Sequence, residues 1–165
     1  MTYTIFISHS SADISLVQFI ASQLQLYGIT PVVAKYEPPR EFPQYLPEKV
    51  KTLIQESDCV TILFTKSGVN SKWVHQEIGY ALNKKPLIPI VESDISPLEL
   101  GFLQGTEYIP LDWKNIENSI KKLVSWSTQL KLKKEENEFL KILAMIIIGG
   151  LSLWGISQQK NELIK

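Results

Sequence analysis

Cysteine is nearly absent from this chain: Cys59 stands alone among 165 residues. No internal disulfide can form, and no cysteine cluster of zinc-site spacing exists. Histidine is as scarce, with only His9 and His75, which excludes a histidine-rich metal centre. Neither sign of charge dominates. The 17 Lys+Arg balance 17 Asp+Glu, and the basic stripe of a nucleic-acid-binding protein is missing. Met1-Thr2-Tyr3-Thr4 is not a basic segment leading into a long apolar run, so no secretory signal is expected and the folded part belongs in a reducing compartment. There is no Gly-x-Gly-x-x-Gly, no Gly-x-x-x-x-Gly-Lys-Ser/Thr and no Gly-x-Ser-x-Gly. A Rossmann dinucleotide site, a P-loop and a hydrolase nucleophile elbow are thereby unsupported.

What is present is a core. Apolar residues make up 44% of the chain. Five short runs rich in Ile, Val and Phe read as strands: Tyr3–Ser8, Ile29–Ala34, Cys59–Thr65, Leu87–Val91 and Tyr108–Leu111. Between and after them lie helical spacings at Ile14–Tyr27, Leu46–Gln55, Trp73–Leu82 and Asn115–Leu130. Alternating strands and helices predict an α/β fold, a doubly wound five-stranded parallel sheet covered on both faces. Ser10-Ser11-Ala12-Asp13 resembles a capping box for the first helix, and Gly28 suits its stop. Pro89 sits badly, because proline is disfavoured inside a strand. Residues 94–105 read as a short irregular connection.

The tail is the other distinct segment. Ile142 to Gln159 gives 18 uncharged residues between Lys141 and Lys160, without an apolar face opposed to a polar one. As a helix the run spans about 27 Å at ~1.5 Å per residue, against a bilayer core of about 30 Å. The expected layout is a domain over 1–130, a charged linker over 131–138, a transmembrane helix over 139–159 and a short tail over 160–165. Lys121, Lys122, Lys131, Lys133, Lys134 and Lys141 precede the span and only Lys160 and Lys165 follow it, which places the domain in the cytoplasm of a single-pass membrane protein.

Open α/β sheets bind ligands at the carboxyl ends of their strands. The loops to read are therefore Ser8–Asp13, Lys35–Tyr45 and Lys66–Lys72. A phospho-receiver would hold acids after the first strand and an aspartate ending the third; Ser8-His9-Ser10 and Thr65 stand there instead. What remains is Ser71-Lys72-Trp73-Val74-His75-Gln76-Glu77, where Trp73 and Glu77, four apart, share a helix face.

Four blocks together resemble TIR domains, particularly microbial ones. Ile5-Phe6-Ile7-Ser8-His9-Ser10-Ser11-Ala12-Asp13 resembles their opening strand and loop, and Ser57–Thr65 their third strand. Ser71-Lys72-Trp73 with Glu77-Ile78-Gly79-Tyr80-Ala81 resembles the helix carrying the catalytic glutamate, and Leu87-Ile88-Pro89-Ile90-Val91 the fourth strand. The resemblance covers roughly residues 3–130. It implies either cleavage of the nicotinamide–ribose bond of NAD, as an immune or cell-death effector, or non-catalytic signalling by self-association. A weaker rival is another N-glycoside-cleaving enzyme of related topology. In the first reading NAD is substrate and no further cofactor is needed. Glu77 is then the catalytic carboxylate and Trp73 walls the pocket. His9, Ser10 and Ser11 approach the substrate from the first loop, beside Ser71. Lys35 and Arg40 meet the pyrophosphate or are exposed loop charges. The proline-rich loop 37–43 is expected to mediate assembly.

Overall fold

The computed structural model describes residues 2–34 and 46–162, with side chains as far as Ile146. The chain divides into two units, Met1–Thr128 and Gln129–Lys165. In the first, five strands form one parallel sheet: β1 Tyr3–Ser8, β2 Ile29–Val32, β3 Cys59–Phe64, β4 Leu87–Glu92 and β5 Ile109–Leu111. Their order is β2-β1-β3-β4-β5, which puts β3 at the centre and the switch in strand order between β1 and β3. The helices are α1 Ile14–Leu26, α2 Glu48–Glu56, α3 Lys66–Val69, α4 Lys72–Ala81 and α5 Ile116–Glu162. The expected parallel α/β sheet is what forms.

Side chains alternate across a strand, so each strand divides its residues between two faces. Phe6, Val60, Ile62, Phe64 and Val91 share one buried cluster with Val50 and Ile54 of α2 and Val74, Ile78 and Ala81 of α4. Ile5, Ile7, Cys59, Leu63 and Ile90 alternate with them and are equally buried. Leu16, Val17, Ile20 and Leu24 of α1, with Ile120, Leu123 and Val124 of α5, supply the buried helix faces outside that first cluster. Burying each such side chain fully is worth about 1.5–3 kcal/mol. This explains why Val/Ile-rich runs of six residues suffice as strands.

Pro89 has a backbone explanation. Val60 N–H donates to the Pro86 carbonyl and Ser93 N–H to that of Leu111. Even-numbered residues of β4 therefore face β3 with their backbone groups, and odd-numbered ones face β5. Pro89 is odd, and β5 pairs only from Ile90↔Ile109 onward. The missing N–H falls where no partner strand has yet begun, so no ladder bond is lost. Pro110 faces away from β4, on the sheet's free edge, where proline also blocks pairing with a further strand.

Three local expectations need correction. Ser10 accepts from Ala12 N–H to cap a 3-10 turn over Ser11–Asp13, rather than capping α1 itself, and Asp13 makes no cap hydrogen bond to α1. The loop Lys66–Lys72 contains the one-turn helix α3, capped by Thr65, whose hydroxyl accepts from Gly68 N–H at 2.9 Å. The connection after β4 is built: Ser96 and Glu99 form a capping box on a 3-10 segment Pro97–Leu103, which buries Leu100 and Leu103. Gly28, at φ +66, follows α1 as expected.

In the second unit, residues 131–138 are helical and belong to α5, which continues without a break to Glu162. Phe139, Leu140, Ile142, Leu143, Met145 and Ile146 are exposed. Most of the expected membrane span, 147–159, lies beyond the described side chains. Among the described residues no helix is long and apolar enough to cross a membrane.

Candidate functional site

Ser8 ends β1 beside the switch in strand order, and its hydroxyl points to the face that carries Phe6. There it meets Glu77, on the second turn of α4: Ser8 Oγ donates to Glu77 Oε2 at 2.5 Å. Both residues are fully buried. The other carboxyl oxygen, Oε1, has no hydrogen-bond partner among the described residues. Burial pushes the carboxyl up from its ordinary 4.5 to about 8, and the Ser8 hydrogen bond pulls the other way. An acid of this kind at the ligand edge of a sheet is a candidate functional group on physical grounds.

α4 is aimed by its own first turn. Ser71 is its N-cap, accepting from Val74 N–H at 3.4 Å. His75 turns away from Glu77; its Nε2 lies 2.7 Å from the Val69 carbonyl, and its ring meets Phe64 edge-on at 5.8 Å. These contacts tie α4 to α3 and to the end of β3. Trp73 is half-buried and packs against the same apolar cluster as Val74 and Ile78. Trp73 and Glu77 thus both turn toward the sheet, as their spacing requires.

The first loop is held by local contacts. His9 is buried, and its Nδ1 lies 3.0 Å from the Ile7 carbonyl, on its own strand. Ser10 is occupied as a cap, and Ser11 is exposed on the 3-10 turn. Asp13 is buried and accepts from Thr65 Oγ1 at 2.8 Å, joining the first loop to the end of β3. Burial raises its carboxyl above the usual range, against the Thr65 hydrogen bond. Thr65 thus bonds Asp13 on one side and Gly68 on the other. Gly68 has no room for a side chain, since a Cβ there would lie 2.3 Å from the Leu63 carbonyl oxygen. Lys35, Arg40 and the proline-rich loop 37–43 lie outside the described residues.

A third buried acid, Glu92, was missed by reading the sequence. Glu92, ending β4, accepts from Lys66 N–H at 2.8 Å and from Trp113 Nε1 at 2.9 Å. Both oxygens are satisfied, so Glu92 joins β4, α3 and the β5–α5 turn as a structural group. Ser8 was missed as well, although alternation from Phe6 already places it on the α4 face. Clefts of about 300 and 320 Å³ lie along α1 and the start of α5, lined by Phe19, Tyr27 and Ile120 in one and by Asp13, Phe19 and Trp113 in the other. Neither is lined by Glu77.

Known proteins bear on this arrangement in three ways. No curated protein matches the chain. Solved structures share the fold at low identity. A prokaryotic SEFIR domain aligns with a TM-score of 0.54 at 16% identity, over 74% of this chain and 96% of its own. A conserved protein from Enterococcus faecalis V583 aligns at 0.56 and 12%, over 78% and 99%. A metazoan TIR-STING receptor from C. gigas aligns at 0.53 and 21%, over 71% of this chain and 38% of its own. The TIR domain family matches residues 5–124, which takes in β1 from Ile5, the other four strands, Ser8 and Glu77. The chain belongs to the TIR domain family.

Proposed function

We propose that this TIR domain cleaves the nicotinamide–ribose bond of NAD, with Glu77 as the catalytic carboxylate. One observation carries the reading: a fully buried glutamate sits at the ligand edge of the sheet, with one oxygen held by Ser8 and the other without a hydrogen-bond partner among the described residues. A buried polar atom without a partner calls for an explanation. A ribose hydroxyl donating to Oε1 supplies one. The chemistry needs little else. The C1′–N bond breaks with its electron pair going to the nicotinamide, which enters the bond cationic and leaves neutral, so no general acid is required. The charge that develops on the ribose is stabilised by the carboxylate. Water then adds at C1′ and gives up a proton, or an internal nucleophile closes a cyclic product. Trp73 would wall the pocket. His9, Ser10 and Ser11, held by local contacts or exposed, would shape its rim. Ser71 sets the helix start. Lys35 and Arg40 are the proposed pyrophosphate contacts.

The test is free nicotinamide released from NAD by the full chain, with Glu77→Gln alongside, under conditions that cluster the protein. We expect loss of roughly 10²-fold or more in Glu77→Gln, the scale set by removing one transition-state electrostatic contact. Equal release by both proteins would remove Glu77 from the role.

One observation favours the other reading, a non-catalytic module that signals by self-association. The carboxyl has no exposed surface, so substrate reaches it only after the residues packed around it move. In the enzyme reading, assembly supplies that movement. In the scaffold reading, assembly is the whole function, and the wild type releases no nicotinamide even when clustered.

The tail belongs to the same proposal. The uncharged run 142–159 lies within α5, and the apolar side chains from Phe139 to Ile146 are exposed. Insertion of 139–159 into a bilayer, with the domain on the cytoplasmic side, would bury them and confine the domain to a surface, raising its effective concentration. The full chain is then expected to stay with membranes through a high-salt and carbonate wash, and a chain ending at Lys134 to wash off. Release of the full chain by the wash would refute the anchor.

A further inference from the structure

We propose that Ser8 is the positioning residue for Glu77: fixed at the carboxyl end of β1, its hydroxyl holds the carboxylate in place and stands in for the water that burial removes. The proposal rests on the reading of Glu77 as the group that acts on NAD. Three features of the geometry support it. Ser8 pairs in register with Ile62 of the central strand, so its backbone is anchored to the middle of the sheet. Its Oγ–Oε2 separation of 2.5 Å falls in the range of a hydroxyl donating to an ionised carboxylate. It is also the one hydrogen-bond partner of this carboxyl among the described residues, since Oε1 has none. The neighbouring first-loop groups are engaged elsewhere, His9 at the Ile7 carbonyl and Ser10 at Ala12 N–H. Ser8 therefore orients Oε2 and leaves Oε1 without a hydrogen-bond partner among the described residues.

Ser8 acts through Glu77 and has no role of its own in bond breaking. What it changes is the balance between the two protonation states. Burial favours the neutral acid, and the donated hydrogen bond favours the anion. The elements packed against α4 bring other ionisable groups: Tyr3 and Cys59 from the sheet, Glu48, Lys49, Lys51 and Glu56 from α2, and Lys66 from α3, besides Lys72, His75 and Tyr80 on α4 itself. None of these is among the causes that move the Glu77 carboxyl from its ordinary value. The hydroxyl of Ser8 is thus the handle on its ionisation. Without it the carboxyl titrates higher. At a pH below the midpoint, the ionised fraction falls roughly tenfold for every pH unit by which the midpoint rises.

The experiment uses the full chain as wild type, Ser8→Ala and Ser8→Thr, the last keeping a hydroxyl at the same strand position. The Glu77 carboxyl is titrated directly, by its infrared band or carboxyl-carbon resonance, with Glu77→Gln identifying the signal. Nicotinamide release is followed against pH. We expect Ser8→Ala to move the Glu77 midpoint upward and to carry the acid limb of the pH–rate profile with it. Near neutral pH, kcat should fall roughly tenfold for every pH unit the midpoint climbs, with KM little changed. Ser8→Thr restores the midpoint. A Glu77 midpoint that stays in place in Ser8→Ala overturns the proposal. The titration needs no turnover. A wild type that releases no nicotinamide, with the midpoint still moved by Ser8→Ala, sinks the NAD reading and upholds the Ser8–Glu77 coupling.

Discussion

Raising the pH from 5 to 8 is expected to destabilise the domain, and Glu77→Gln to remove most of that loss. A carboxyl with an ordinary value of 4.5 in the unfolded chain and about 8 in the fold binds its proton more tightly when folded. Between those values the folded state holds a proton that the unfolded state has released. Stability then falls as pH rises, by on the order of 1 kcal/mol per pH unit, and the contribution is fully present only below about pH 4.5. Most structural carboxylates have depressed values and give the opposite slope. Asp13, whose carboxyl burial also raises, works in the same direction. Cys59, pushed up to about 12, and Tyr3, raised further, titrate above the window and leave the slope alone. Glutamine is neutral at every pH and of the same shape. Its amide N–H groups find less to bond than a carboxylic acid does, an offset of about 1–3 kcal/mol. The net gain at pH 8 is therefore a few kcal/mol, in the variant expected to lose activity. Denaturant unfolding of both proteins at pH 5, 6, 7 and 8, at fixed ionic strength, measures this. Parallel curves of equal slope would show that Glu77 keeps an ordinary affinity for its proton.

The sheet was legible in the sequence because its strands are buried on both faces. Runs such as Cys59–Phe64 can serve neither as exposed loop nor as amphipathic helix, and the spacing of Leu16, Val17, Ile20 and Leu24 admits only a helix laid on that sheet. The pairing of Trp73 with Glu77 on one side of a helix was equally readable, because helical geometry alone dictates it. The partner of Glu77 was not read. Ser8 lies 69 residues away, and only the strand order brings it to α4. The same holds for Asp13. Ser10-Ser11-Ala12-Asp13 before a helix looks like a cap, and nothing local reveals that the carboxylate is taken up by Thr65, 52 residues on. Pro89 looked wrong for an interior strand because the sequence does not show in what register β5 meets β4. The rule against interior proline holds only where a partner strand waits for the N–H. The tail was read from its lack of charge, and the run lies within α5, but lack of charge does not specify a contact.

Phe64→Ala should cost about 3–5 kcal/mol, the range for emptying a buried aromatic site. Phe64 is the last residue of the central strand and has no exposed surface. It lies in the cluster shared with Val74, Ile78 and Ala81 of α4, and His75 rests edge-on against its ring. The loss should therefore concentrate on α4, the helix that carries Glu77, with α1 on the other cluster largely spared. Hydrogen exchange provides the discrimination. Amides of α4 are expected to lose protection in Phe64→Ala beyond the loss in global stability, while those of α1 fall only with the global value. Phe19→Ala is the control, since Phe19 is partly exposed and lines a cleft instead of the core. Its cost should stay near 1 kcal/mol. Phe64→Leu should lie between, because it keeps most of the apolar contact and gives up the ring edge offered to His75. Were α1 and α4 to lose protection equally in Phe64→Ala, the seating of Glu77 would depend on the domain as a whole, and the cluster beneath α4 would have no special claim on the site.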